Sequence, residues 1–342
     1  MVRPAQTLEG RHLEGGWIVI RRKELRGHNT GSCFSFGYEL KNIDGRSGFL
    51  KALDFSRAVH AADPARDLER LTRAFNFERD VLQLCTGLSG VVQFQAEGKI
   101  QITAARLDGV VQYLILEWAD HGDVRDVLAS TNGFEAELAF RVLHNVTTGL
   151  MQLHSRGVLY QDLKPSNVLV FKDCSKIGDL GRSTCSTLAA PHDDYDFAGD
   201  PNYAPPEIRY DHLIPDKWER LLACDAFMLG ELVVFLFASV TTSSEVQSRL
   251  PPELRVGVWS GSYEALLPHL QLAFSDALGS LEVAFGEYAS ELIPIVRQLC
   301  EPDPKRRGHP KNRVGLQSQY SLERYVAWFD LLARRIAAGL WP

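Results

Sequence analysis

Two short apolar pieces, "GVL" at 157–159 and "VLV" at 168–170, are separated by "YQDLKPSN", which sets a carboxylate, an ammonium and an amide (Asp162, Lys164, Asn167) at close spacing. A loop needs polar residues, but it does not need these three. A carboxylate at Asp162 holds, or takes the proton of, an attacking hydroxyl. An ammonium two residues on neutralises charge developing on a transferred phosphoryl group, and the Asn167 amide offers a neutral oxygen to a hard cation such as Mg2+. Taken alone, the stretch also reads as a polar turn built on Pro165 and Ser166. A second segment, "KIGDLGRS", places another carboxylate, Asp179, 17 residues after Asp162. An isolated Asp-Leu-Gly is ordinarily a turn. Behind the first loop it supplies the charged metal ligand that phosphoryl transfer requires.

The surrounding chain has two textures. "WIVIRR" (17–22), 34–40 and "GFLKAL" (48–53) are runs rich in β-branched and aromatic residues, separated by Gly, Asn and Asp, and read as strands. A helix follows over 67–85, with Leu68, Leu71, Phe75, Val81 and Leu82 at three- and four-residue steps. The stretch 91–118 reads as two or three more strands. After Glu117, the connector "ADHGD" leads into a mostly helical region: 137–157, 226–240, 288–300 and a last amphipathic helix over 321–338. The expected fold class is therefore α+β, bilobal, with a strand-rich N-lobe and a helical C-lobe. Its parts are an N-terminal extension (1–16), the N-lobe and hinge (17–122), the C-lobe (123–310) and a helical tail (311–342).

Composition narrows the setting. With 342 residues the chain can bury a sizeable core, and an apolar fraction of 45% with 23% charged residues is that of a globular protein. A net charge of −6 gives no general reason to expect nucleic acid as partner. The six cysteines form no CxxC pair and read as reduced thiols. "MVRPAQTLEGRHLEGG" lacks the apolar run of a secretory signal. The most apolar segment, 226–240, is shorter than a membrane span and contains Glu231, so it reads as a buried core helix. The expected location is cytoplasmic, with no membrane span. Oligomeric state is not legible.

"YQDLKPSNVLV", then "KIGDLG", then "NYAPPEI" resembles the catalytic core of the eukaryotic-type protein kinases over roughly residues 17–307. The resemblance implies ATP and Mg2+ as cofactors and a protein substrate with a Ser/Thr acceptor. It assigns Asp162 to positioning the substrate hydroxyl, Asn167 and Asp179 to Mg2+, and Lys164 to the serine/threonine-directed members. It pairs Glu207 with Arg307 and makes Asp225 the residue that opens the large central helix and braces the catalytic loop. Lys51 in "GFLKAL" matches the strand lysine that holds the α- and β-phosphates. Its partner is expected to be Glu78, with Glu69 as the other candidate. In the hinge, backbone groups of Glu117 and Ala119 are expected at the adenine edge and Asp123 near the ribose, with Leu116 behind the pocket and Leu169 as its floor. Gly31, Ser32 and Ser35, in "RGHNTGSCFSFG", are the candidates for phosphate contact, although the stretch departs from the family's glycine pattern and reads equally as a hairpin turn.

The family's H-R-D triplet here is Tyr160-Gln161-Asp162. Where many members use an arginine to grip a phosphate on the activation segment, Gln161 cannot form a charge-assisted fork, so activity is expected not to require phosphorylation of 179–207. The acid-rich stretch "PHDDYDFAGDP" within that segment reads as a solvated loop or as built-in charge replacing a phosphate. Ser183, Thr184, Ser186 and Thr187 are candidate modification sites. The basic run 304–313 reads as a solvated face apart from Arg307. A pseudokinase scaffold and a small-molecule kinase of related fold are the competing functions, and the tail helix is open to an interaction role.

Overall fold

The computed structural model describes residues 3–23, 35–103, 109–130, 135–314 and 318–341. The N-lobe is a six-stranded antiparallel sheet. Its strands are β1 (His12–Leu13), β2 (Trp17–Arg22), β3 (Ser35–Asn42), β4 (Ser47–Leu53), β5 (Phe94–Gln101) and β6 (Val110–Glu117), in spatial order β1-β2-β3-β4-β6-β5. Between β4 and β5 the chain forms α1 (Ser56–Val59) and α2 (Pro64–Leu84). Asp63 caps α2 by accepting from the Arg66 N–H at 3.1 Å, and Pro64 supplies a preset first helical residue.

Side chains alternate across a strand, so each strand serves two faces. Leu50 and Ala52 of β4 share one face with Val111, Tyr113 and Ile115 of β6; Leu53, Leu114 and Leu116 lie on the other. The second face packs on α2 and the C-lobe. The first is covered by Ala5, Leu8, Leu13 and Trp17. The Tyr38 hydroxyl donates to the Ala5 carbonyl at 2.6 Å, and Arg3 pairs with buried Asp54 at 3.0 Å. The stretch read as an extension is thus packed onto the sheet, where burying a side chain such as Leu8 gives about 1.5–3 kcal/mol.

The C-lobe comprises α3 (Val124–Ser130), α4 (Ala136–Ser155), β7 (Val158–Leu159), β8 (Val168–Val170), β9 (Ser175–Ile177), β10 (Thr184–Cys185), α5 (Pro206–Arg209), α6 (Lys217–Ala238), α7 (Thr242–Arg249), α8 (Tyr263–Phe285), α9 (Ala289–Leu299) and α10 (Glu323–Ala337). β7 pairs with β10 and β8 with β9, both antiparallel. These two small sheets grip the ends of the catalytic loop and space Asp162 from Asp179.

One expectation is corrected. Asp225 does not open the central helix: α6 begins at Lys217 and is capped by Asp216, which accepts from the Glu219 N–H at 2.7 Å. Its first turns carry Lys217, Glu219 and Arg220, which an apolar run excludes. α6 is long and apolar enough to cross a membrane by length and composition, but 78% of its apolar window is buried inside the protein, where it forms the centre of the core.

Candidate active site

A cleft of about 190 Å3 lies between the sheet and the C-lobe, bordered by Phe49, Lys51, Leu116, Ala119, Asn167 and Asp179 among others. β4 turns Lys51 inward, opposite Leu114 of β6. Its Nζ lies 2.6 Å from Glu78 Oε1 and 3.0 Å from Asp179 Oδ1. That distance settles the choice of partner, because Glu69 is on the exposed side of α2. Burial disfavours the Lys51 ammonium, yet Asp179 and Glu78 outweigh it and hold its pKa above the ordinary lysine value. Lys51 in turn keeps Asp179 below the usual carboxylate range, while burial pushes Glu78 up.

Asp179 is in the left-handed region, with φ 52°, a conformation that aspartate tolerates better than most side chains. Leu180 behind it is fully buried in the core that includes Phe77, Val81 and Leu82 of α2. Gln161 is also left-handed, at φ 64°. The buried Asp225 carboxylate holds that turn: Oδ1 accepts from the Gln161 N–H at 2.7 Å and Oδ2 from the Tyr160 N–H at 2.9 Å. Asp225 therefore braces the catalytic loop as expected, from mid-helix. The Tyr160 phenol donates to the Gly178 carbonyl at 2.5 Å, tying the loop to the strand end that carries Asp179.

Asp162 is the centre of the loop. Its Oδ2 accepts from Asn167 Nδ2 at 2.8 Å, and its Oδ1 from the Asp200 N–H at 2.9 Å and from Lys164 Nζ at 3.2 Å. Burial raises its pKa to about 6 against the pull of Lys164. It is thus mostly ionised at neutral pH and poised to receive a proton. Asn167 and Asp179 offer an amide and a carboxylate to the same cleft. Two hard oxygen donors suit Mg2+, which keeps its remaining positions for water and phosphate oxygens.

At the hinge, both Glu117 carboxylate oxygens lie 2.7 Å from Lys176 Nζ, and the Gln93 N–H donates to Oε1 at 2.8 Å. The side chain is therefore held by the C-lobe hairpin while Glu117 and Ala119 still border the cleft. Asp123 also borders it, but its Oδ1 caps α3, accepting from the N–H groups of Arg125 (2.8 Å) and Asp126 (3.1 Å). Leu169 lines the cleft as its expected floor. Gly31 and Ser32 lie outside the described residues.

Away from the cleft, Glu207 and Arg307 form a bidentate pair at 2.6 and 2.8 Å, fully buried. Sequence reading did not single out Asp200 within the acid-rich stretch, which it took as a solvated loop or as built-in charge. The structure gives three carboxylates of that stretch cationic partners: Asp193 with Lys217 (3.6 Å), Asp196 with Arg220 (3.3 Å) and Asp200 with Lys164 (3.3 Å). A dense run of acids ending three residues before Tyr203 was the available signal. Of the candidate modification sites, Ser183 and Thr184 are buried, whereas Ser186 and Thr187 are exposed.

Residues 92–315 match the family described as "Protein kinase domain". The chain is 30% identical over 242 residues to an Aurora kinase of Debaryomyces hansenii, covering 67% of this chain and 55% of that protein. It is 36% identical over 124 residues to the serine/threonine-protein kinase PLK4 of Xenopus laevis (34% of this chain, 13% of that protein). It is 32% identical over 131 residues to the mitosis inhibitor protein kinase SWE1 of Candida albicans (37% and 10%). With the family matched over more than half of its length, the chain belongs to the protein kinase domain family. It spans about half the length of the Aurora kinase and much less of the others. The family match begins after β4 and α2, so the roles of Lys51 and Glu78 rest on their geometry.

Proposed function

We propose that this chain is an ATP- and Mg2+-dependent serine/threonine protein kinase whose activation segment needs no phosphate. The observation that carries this reading is the convergence of Lys51, Glu78, Asp179, Asn167 and Asp162 around one interlobe opening, from four separate stretches of chain. Lys51, fixed by Glu78, is the cation for the α- and β-phosphates of ATP. Asp162 orients the acceptor hydroxyl and takes its proton, and Lys164 offsets charge on the transferred group. Asn167 and Asp179 are the residues to hold Mg2+, which when bound neutralises phosphate charge. The buried Glu207–Arg307 pair and Lys164 favour a protein acceptor over a small molecule.

Independence from phosphorylation is supported by what Gln161 does. Its Nε2 donates to Thr184 Oγ1 at 2.7 Å, and its Oε1 accepts from the Ala198 N–H at 3.2 Å. The amide is engaged with both ends of the segment, and being neutral it offers a phosphate no charge.

The test is transfer of labelled γ-phosphate by the wild type and by Asp162→Asn, offered generic proteins and hydroxylated small molecules in parallel. Protein labelling by the wild type, lowered about 10²–10⁴-fold in the variant, is expected. Label in neither acceptor favours a scaffold, and label confined to small molecules favours the related kinases. A phosphatase-treated sample that is inert, and recovers when the segment is phosphorylated, overturns the second half of the proposal.

A further inference from the structure

The stretch 3–13 lies along the outer face of the sheet and ends at the strand that carries Lys51. Its Gly10 N–H donates to the Val19 carbonyl at 2.8 Å, and its Arg11 carbonyl accepts from the Val19 N–H at 2.9 Å, so the chain runs beside β2. Glu9 Oε1 accepts from the Arg22 N–H at 2.7 Å, the Ala5 carbonyl accepts from the Tyr38 hydroxyl, and Leu8 is fully buried. At the other end of the stretch, Arg3 Nη1 lies 3.0 Å from Asp54 Oδ2. Asp54 follows β4 directly, three residues after Lys51. Only 2% of its side chain is exposed, and Arg3 is its one cation within ion-pair distance among the described residues. Its Oδ1 accepts from the Ser56 N–H at 3.0 Å, which fixes the turn into α1.

Asp54 is thus the joint between two parts of the fold. Ahead of it, Leu50 and Ala52 of β4 belong to the small core with Ala5 and Leu8; beyond it, Phe55 and Ala58 belong to the large core with α2. α1 packs against α2, which carries Glu78 to within 2.6 Å of Lys51. A buried carboxylate that loses its counter-charge is strongly disfavoured and turns toward water. At this joint such a turn displaces the connection 54–63, and α2 with it. We propose that Arg3 is a positioning residue for the phosphate grip: by neutralising Asp54 it holds the turn from β4 into α1, and through that turn it sets Glu78 against Lys51. This rests on the proposed kinase function and deepens it, because it makes the seating of the N-terminal stretch a condition for holding ATP.

The experiment compares Arg3→Met, Arg3→Lys, Asp54→Asn and the double variant of Arg3→Met with Asp54→Asn. Two readouts are taken: binding of a fluorescent N-methylanthraniloyl derivative of ATP with Mg2+, and steady-state transfer to casein. Arg3→Met is expected to weaken nucleotide binding roughly 3- to 30-fold. KM for ATP should rise in step, with KM for casein within about twofold. Asp54→Asn removes the charge that needs neutralising and keeps the Ser56 contact, so the double variant should bind nucleotide within about twofold of wild type. Loss of general stability produces neither that rescue nor a change confined to the nucleotide. Thermal unfolding shows which variants are folded at the assay temperature. If Arg3→Met is not, Arg3→Lys decides: its shorter reach loosens the pair, so weakened nucleotide binding upholds the inference and wild-type binding overturns it. Wild-type binding by folded Arg3→Met, a double variant no better than Arg3→Met, or an equal rise in both KM values also overturns it. A wild type that binds nucleotide without transferring phosphate defeats the kinase function alone, and the binding comparison still decides this inference. A wild type that binds no nucleotide overturns both.

Discussion

Two buried carboxylates outside the cleft show how differently a charge can be accommodated. Glu207 faces Arg307, whose guanidinium also donates to the carbonyls of Glu301 and Ala223 and stacks over Phe227 at 5.0 Å. Replacing Glu207 with Ala strands that guanidinium in the core, and unfolding in urea should show a loss of about 3–5 kcal/mol. A loss below about 1 kcal/mol would mean that the carbonyls suffice. Glu231 has no cationic partner within ion-pair distance among the described residues. It accepts from the N–H groups of Thr242 (2.6 Å) and Ser243 (2.9 Å) and from the Ser243 hydroxyl at the start of α7. Burial still prevails and lifts its pKa to about 7 from an ordinary 4.5. The native state then binds more protons than the unfolded chain between those values, so this group's contribution to stability falls as pH rises from about 4.5 to about 7. Relative to wild type, Glu231→Gln should lose that component, on the order of 2 kcal/mol across the window, when urea midpoints are compared at pH 5 and pH 7.5. Parallel pH profiles would show that Glu231 does not titrate there.

Elements with a clean period were legible. β2 occupies the residues its sequence suggests, and α2 and α4 differ from the expected ranges only at their ends. The three C-lobe motifs also fixed most of the site, because their spacing is chemical as well as structural. What escaped reading did so for identifiable reasons. α8 carries Pro268 in its second turn, a residue that ordinarily ends a helix. The start of α6 is hidden by charged residues that only its Asp216 cap reveals. Asp200 looked like one acid among several, since its partner lies 36 residues away in sequence. The cover of the sheet was the least visible, because Ala5, Leu8 and Leu13 are isolated apolar residues in a polar stretch. The clue was in β6, where "VVQYLILE" is apolar on both faces and so demands a lid on each. Leu8→Ala tests that lid: with Leu8 fully buried, a loss of about 2–4 kcal/mol is expected on urea unfolding. A change under about 0.5 kcal/mol would mark the stretch as loosely attached.

At the scale of the molecule the described residues form two apolar cores, a small one outside the sheet and a large one running from α2 through α6 to the tail. α10 lies across α4 and buries Tyr325, Phe329 and Leu332, with His144 Nδ1 3.2 Å from the Val326 carbonyl. Beyond it Trp341 stacks on Phe140 and packs at a tilt against Tyr288. This helix is therefore C-lobe core: Phe329→Ala should lower stability by about 3–5 kcal/mol, measured by urea unfolding, while leaving kcat of the folded protein unchanged. Lys51 and Glu78 meet on the sheet face that packs into the large core, Lys51 from β4 beside Leu53 and Glu78 from α2. Their ion pair, with those of Lys51 to Asp179 and of Arg79 to Glu97 in β5, rivets a light plate to a heavy block. The grip on the phosphate end of the cleft therefore lasts only as long as plate and block stay together.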